Sequence, residues 1–151
     1  MSMSWTKLLA DKHVAREPTH KSELDDLRAL VARNLDDAQV RGVSAQGRYE
    51  FGYNAARLMA TIVIRACGYR VVARTGHHYW TFTALETADA TFEKAAANFD
   101  AARSRRNDFS YDAPVEISDT DAGDLIEAAR QFHRAAETWI AAKDPSLAST
   151  P

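Results

Sequence analysis

Apolar side chains recur at intervals of three and four residues in long stretches of this chain, and that spacing constrains the fold more than any other feature. The interval matches one face of an α-helix, so each stretch predicts an amphipathic helix with one buried stripe. The stripes cover residues 24–38, 51–66, 92–102 and 125–140. Because the alternating pattern of a half-buried strand is scarce, the sequence predicts an all-α, up-and-down bundle of four to five helices.

Turn and capping residues separate the stripes. Ser44 precedes the second stripe, and Gly68 follows it, where an easy left-handed backbone can end a helix. Two Ser-x-x-Asp spacings, at residues 22–25 and 118–121, resemble capping boxes and predict the starts of two further helices. Small residues at Gly52 and Ala56 predict that a partner helix approaches the second stripe closely.

The remaining segments are shorter. Residues 5–12 and 81–87 each predict a short helix. Residues 68–80 are interpreted as an ordered loop, because one short extended piece at 69–73 without a partner strand does not make a sheet. Asp144-Pro145 ends the last helix, so we expect one bundle domain over 1–143 and a flexible C-terminal tail over 144–151.

Charge and cysteine content limit the classes of function. The formal net charge is −2, so no global positive field attracts the 151-residue chain to nucleic acid or membrane, and any anion site must be local. The single cysteine, Cys67, allows no internal disulfide and lies in an apolar run typical of a buried thiol. No apolar run has the length of a membrane span, and the first residues do not resemble a signal peptide. We therefore expect a cytoplasmic protein with no membrane partner.

Positive charge is concentrated in residues 103–111, where the third stripe ends. Arg103 and Arg106 are three residues apart and share a helix face, whereas Arg105 points elsewhere. Two guanidiniums on one face offer planar, permanently charged donors to a phosphate group. The alternative is a solvated helix end whose arginines pair with carboxylates.

The order Arg106-Asn107, three residues, then Tyr111 and the last helix resembles the HEPN superfamily, the higher eukaryotes and prokaryotes nucleotide-binding domains. The family motif is an arginine and a neighbouring polar residue, followed after four to six residues by a histidine. Segments 68–70 and 76–78 also look like a loop of one uncharacterised bacterial branch. The resemblance implies that Arg106 orients a phosphate, that Asn107 is the polar neighbour, and that Tyr111 stands where the histidine would activate an RNA 2′-hydroxyl without metal.

Tyr111 decides between binding and catalysis. A phenol, with an ordinary pKa near 10, is a poor general base at neutral pH. We therefore expect a protein that binds RNA or nucleotide phosphate without catalysis. The alternative is a metal-independent, toxin-like endoribonuclease in which Tyr111, His77 or His78 replaces the usual base. A third interpretation is a protein-interaction bundle.

Arg70, Arg74, His77 and His78 form a second basic segment. If it folds over residues 103–111, the two segments build one basic pocket, with aromatic walls from Tyr69, Tyr79 and Trp80. Adjacent histidines rarely converge on one ion, and no ligand lies at metal spacing nearby, so we expect no metal site and no cofactor.

These observations define the candidate residues and partners. Candidate catalytic residues are Arg106, Asn107 and Tyr111, and candidate phosphate-binding residues are Arg103, Arg105, Arg106, Arg70, Arg74, His77 and His78. Alanine-rich helices with modest apolar surface favour a homodimer. The family resemblance implies a small nucleotidyltransferase or an antitoxin as a candidate protein partner.

Overall fold

The computed structural model of the protein describes residues 3–108 and 116–151, and it confirms an all-α helical bundle. The described residues contain six α-helices, one more than the upper end of the predicted range. The helices are α1 (Trp5–Ala10), α2 (Lys21–Asp37), α3 (Ala45–Ala66), α4 (His77–Ala88), α5 (Glu93–Asp108) and α6 (Asp119–Lys143). Single 3-10 turns at Ala90–Phe92 and Pro145–Leu147 flank α5 and α6.

Helix α3 lies at the centre of the bundle. It packs mainly against α2 and α6, and also against α4 and α5, so side chains around most of its circumference are buried. Tyr53, Met59 and Ile62 are fully buried there. A Cβ atom at Gly52 would lie only 3.1 Å from Cγ1 of Ile126 on α6, which confirms the predicted close approach of a partner helix.

Two of the three predicted helix caps are confirmed, and the third helix begins close to the predicted position but without the predicted cap. The Ser44 hydroxyl accepts a hydrogen bond from the backbone N–H of Gly47, and Ser118 with Asp121 forms a capping box. The capping box predicted at residues 22–25 is wrong, because α2 begins earlier, at Lys21. The Asp25 carboxylate accepts hydrogen bonds from the side chains of Lys21 and Arg28 instead.

The interpretation of residues 68–80 as a loop is wrong at both ends. Strand β1 (Val14–Arg16) pairs antiparallel with strand β2 (Tyr69–Val71). Three-residue strands are too short to show an alternating pattern, and their pairing joins distant parts of the chain, so the sequence did not reveal the partner. At the other end, α4 begins at His77, after Gly76 with a φ of 69°.

Residues 145–147 belong to the packed domain rather than to the tail predicted for 144–151. Leu147 is buried against the core, and its carbonyl oxygen accepts a hydrogen bond from Arg28 Nη2 at 2.6 Å. Further along, Thr150 Oγ1 accepts from Lys21 Nζ at 2.7 Å. The end of the chain therefore fastens α6 to α2.

Cys67 follows the last residue of α3. Burial raises the pKa of its thiol to about 11, which keeps it protonated at neutral pH, as expected of a structural thiol. Within the described ranges, none of the helices combines the length and the apolar character needed to cross a membrane.

The Arg65 side chain on α3 holds three parts of the structure together. It is buried, and Nε and Nη2 donate to Oε1 of Glu23 on α2 at 2.8 and 2.7 Å. Nη1 donates to the carbonyl oxygens of Glu17 and Tyr69 at 3.0 Å each, and Nη2 also donates to that of Pro18 at 3.2 Å. Every edge of this guanidinium therefore has an acceptor.

We expect Arg65→Met to lower the free energy of unfolding by about 3 kcal/mol, because it leaves a partly buried carboxylate and three carbonyl oxygens without their donor. Urea denaturation measures the loss. Arg70→Met is the matched control, since exposed Arg70 forms an ion pair with Glu17 at the surface and its removal should cost less than about 1 kcal/mol. Equal losses in the two variants would contradict a structural role for Arg65.

Candidate functional site

The three predicted arginines lie in the last turns of α5, and each pairs with a carboxylate. Arg103 Nε lies 2.7 Å from Asp100 Oδ1, Arg105 Nη2 lies 3.0 Å from Asp121 Oδ2, and Arg106 Nε lies 2.7 Å from Glu50 Oε2. The Asp100 pair is formed within α5, whereas the other two join α5 to α6 and to α3. Pairing of this kind is what the solvated-helix-end alternative predicts, so these arginines by themselves do not define a ligand site.

Each of these arginines also lies over a tyrosine ring. The guanidinium carbon is 5.6 Å from the ring centre of Tyr79 for Arg103, 5.9 Å from that of Tyr49 for Arg105, and 5.1 Å from that of Tyr53 for Arg106. The helical spacing correctly separated Arg105, which turns toward α6, from Arg103 and Arg106, which face α4 and α3. Cation–π contacts of this kind fix the orientation of a guanidinium while leaving its N–H edge available.

Arg103 and Arg106 join side chains of α3 and α4 in a group that we call the arginine–histidine cluster: Tyr53, Arg57, His78, Arg103 and Arg106. Nδ1 of His78 lies 3.0 Å from the Tyr53 hydroxyl oxygen. Burial lowers the pKa of His78 to about 4, and the charges of Arg57, Arg106 and Arg103 act in the same direction. Burial raises the pKa of Tyr53 to about 12. Both side chains are therefore uncharged at neutral pH.

Arg57, like Tyr53, is a cluster residue that the sequence did not predict. Its Nε is buried and has no hydrogen-bond partner among the residues that the structure describes. Burial lowers the pKa of Arg57, and the positive charge of Arg106 adds to this effect, while no carboxylate of the described residues is among the charges that act on it. It lies off the apolar stripe of α3, a position typical of a solvated face. Two features of the sequence could have indicated its burial. Helix α3 is apolar around most of its circumference, and Arg57 follows Tyr53 by four residues, which places both on one face.

The side chains of His77 and His78 have different hydrogen-bond partners. Adjacent residues at the start of a helix do not face one another. His78 enters the cluster, whereas His77 Nδ1 lies 3.2 Å from the carbonyl oxygen of Ala73. His77 also lines a separate cavity of about 290 Å³ with Asp26 and Arg70. Within residues 3–108 and 116–151, no group of three or more His, Cys, Asp or Glu side chains could hold a metal ion.

The prediction that residues 69–80 and the arginines of α5 build one basic pocket is therefore wrong in part. His78 and Tyr79 do meet the arginines of α5. The pairing of β1 with β2 instead draws Tyr69 onto Trp5, with ring centres 4.1 Å apart, and places Arg70 against Glu17. The Trp80 ring stacks on His13, with ring centres 3.5 Å apart, and Arg74 is exposed.

Of the motif residues, Arg106 lies in the cluster and Asn107 is exposed at the end of α5. Tyr111 lies outside the described residues. Comparisons of the chain with protein-family models, with curated proteins and with solved structures find no match. The HEPN resemblance therefore rests on the short motif itself, and the function has to be argued from the cluster.

The lowered pKa of His78 predicts that the stability of the protein depends on pH. An imidazole whose folded pKa is about 4, against about 6.5 when unfolded, takes up its proton more readily in the unfolded chain. We expect the free energy of unfolding to fall as the pH drops from about 6.5 toward 4, with a contribution from half-buried His78 of about 1 kcal/mol after solvent screening.

His78→Gln should remove this part of the pH dependence, measured by urea denaturation at a series of pH values. His77→Gln is the control, because His77 is exposed beside it and has its own backbone contact. His133 and the paired carboxylates are unchanged in both variants, so the difference between them isolates His78. Parallel pH profiles would contradict the assignment.

Proposed function

We propose that the protein binds phosphate groups of RNA or of a nucleotide on the arginine–histidine cluster, without catalysis. The observation that carries this proposal is the buried Nε of Arg57, which has no hydrogen-bond partner among the residues that the structure describes. An unpaired buried donor costs about 1–3 kcal/mol, more when it is charged, and nothing within the described protein offsets that cost. A bound anion would offset it.

A second arginine on the same helix provides the contrast. Arg65 lies about two turns after Arg57 on α3 and has every edge of its guanidinium paired with protein oxygens. That arrangement is complete without a ligand, so we interpret it as structural. Within the described part of the chain, Arg57 Nε has no acceptor, and a second guanidinium, that of Arg106, is close enough to lower the pKa of Arg57. Two neighbouring cations with one unpaired favour an oxyanion between them.

The surroundings of the cluster suit a nucleic-acid ligand. His78 and Tyr53 are uncharged and offer hydrogen-bonding groups without adding charge. Tyr79, which is 43% exposed, presents an aromatic ring beside Arg103 on which a base could stack. Because the net charge of the chain is −2, binding would depend on this local cluster rather than on a general positive field.

A metal-independent endoribonuclease is the second candidate, and the position of His78 favours it. An uncharged imidazole among arginines could take a proton from a 2′-hydroxyl group. However, a base whose pKa is about 4 accepts protons weakly at neutral pH. Binding without catalysis is therefore the function that the geometry supports best. RNA cleavage by the wild-type protein that is lost in the His78→Gln variant would favour the endoribonuclease over binding without catalysis.

A protein-interaction bundle, with a nucleotidyltransferase or an antitoxin as partner, is the third candidate. The carboxylate pairing of Arg103, Arg105 and Arg106 favours it. This candidate differs from phosphate binding because it provides no anion for Arg57. A protein with no measurable RNA or nucleotide affinity at low salt would favour this candidate.

We expect Arg57→Met to weaken binding of a labelled single-stranded RNA by about tenfold or more, because one charge-assisted phosphate contact is worth roughly 1.5–3 kcal/mol. Fluorescence anisotropy at several salt concentrations measures the affinity. The slope of log affinity against log salt should also become shallower by about one ion. Arg33→Met, which removes an exposed arginine of α2, is the matched control and should leave both quantities nearly unchanged.

The same Arg57→Met variant should be more stable than the wild type. Removal of an unpaired buried donor, with a side chain of similar length retained, should raise the free energy of unfolding by about 1 kcal/mol. Urea denaturation of the ligand-free protein measures this change. A variant that is both less stable and unchanged in RNA binding would contradict the proposed role of Arg57.

A further inference from the structure

We infer that Glu50 is a specificity-determining residue, which adjusts the charge of the cluster to favour a singly charged phosphodiester over the doubly charged terminal phosphate of a nucleotide. This inference rests on the proposed function and goes further, because it chooses between the two ligand classes left open above.

The charges around the cluster support it. Three guanidiniums, those of Arg57, Arg103 and Arg106, are accompanied by two carboxylates, Glu50 and Asp100. The two remaining polar groups of the cluster, on Tyr53 and His78, are uncharged at neutral pH. Among these described residues, one positive charge is therefore left, and it belongs to Arg57.

Glu50 differs from the other carboxylate in its position. Asp100 pairs with Arg103 three residues along the same helix, so that pair is local to α5. Glu50 reaches Arg106 from α3, one turn before Tyr53, whose ring lies beneath the same guanidinium. The side chains of Glu50 and Arg106 are 33% and 31% exposed, so their charges are less screened than those of a surface pair.

An anion held by Arg57 and Arg106 would therefore lie close to the Glu50 carboxylate. A phosphodiester carries one negative charge, which matches the one positive charge left among the described residues of the cluster. A terminal phosphate carries about −1.5 to −2 charges at pH 7, because its second pKa is about 6. Its additional charge would have no partner and would be repelled by Glu50.

The experiment is a competition in which unlabelled compounds displace a labelled single-stranded RNA from the protein. The dinucleoside monophosphate ApA supplies one phosphodiester and no terminal phosphate, whereas AMP supplies one terminal phosphate. With wild-type protein, we expect ApA to compete at a lower concentration than AMP. Glu50→Gln removes the charge and keeps an amide oxygen that can accept from Arg106. This variant should raise the affinity for AMP relative to that for ApA by about fivefold or more, which is on the order of 1 kcal/mol.

Glu127→Gln is the matched control, since Glu127 is an exposed carboxylate of α6 that contacts Arg134 and Gln131 on the same helix, and it should leave the ratio unchanged. If AMP competes better than ApA in the wild type, or if Glu50→Gln does not change the ratio, the inference is overturned. In that case RNA binding that still depends on Arg57 would leave the proposed function standing. Absence of any binding of the labelled RNA, together with no binding of AMP in a direct titration, would instead remove the proposed function itself.

Discussion

The burial of helix α3 is the constraint on which the rest of the structure depends. Four other helices and strand β2 pack around it, and its apolar residues make the largest single contribution to the core. Close approach of α6 requires a small residue at Gly52, and the antiparallel pairing of β1 with β2 is fastened to its C-terminal end through Arg65. A charged side chain in the middle of such a helix has little access to water, so it needs either protein partners or a ligand.

The two arginines in the second half of α3 meet this requirement in different ways. Arg65 satisfies its donors with one carboxylate and three carbonyl oxygens, and thereby joins α2, β2 and the segment before α2. Arg57 leaves Nε unsatisfied and has Arg106 as a neighbour. Sequence alone does not distinguish these residues, because both are arginines off the apolar stripe. Hydrogen-bond partners distinguish them, and they support a structural role for one and a binding role for the other.

The candidate site could be predicted only in part. Local spacing correctly placed Arg103 and Arg106 on one face of a helix and turned Arg105 away, because the helical repeat alone decides this. The sequence did not predict Glu50, Tyr53 or Arg57, which reach the cluster from α3, or show that His78 enters it while His77 does not. Those positions depend on how α3, α4 and α5 pack, and on the strand pairing that draws Tyr69 and Arg70 to the other side.

The sequence by itself determined the helical class, the four long amphipathic helices, the caps at Ser44 and Ser118, and the arginine-rich end of α5. All of these follow from interactions between residues a few positions apart. Tertiary structure alone decided the β1–β2 pairing, the docking of Leu147 and the composition of the cluster. These features join residues far apart in the chain, and whether a guanidinium is satisfied depends on which distant oxygen atoms the fold brings within hydrogen-bonding distance.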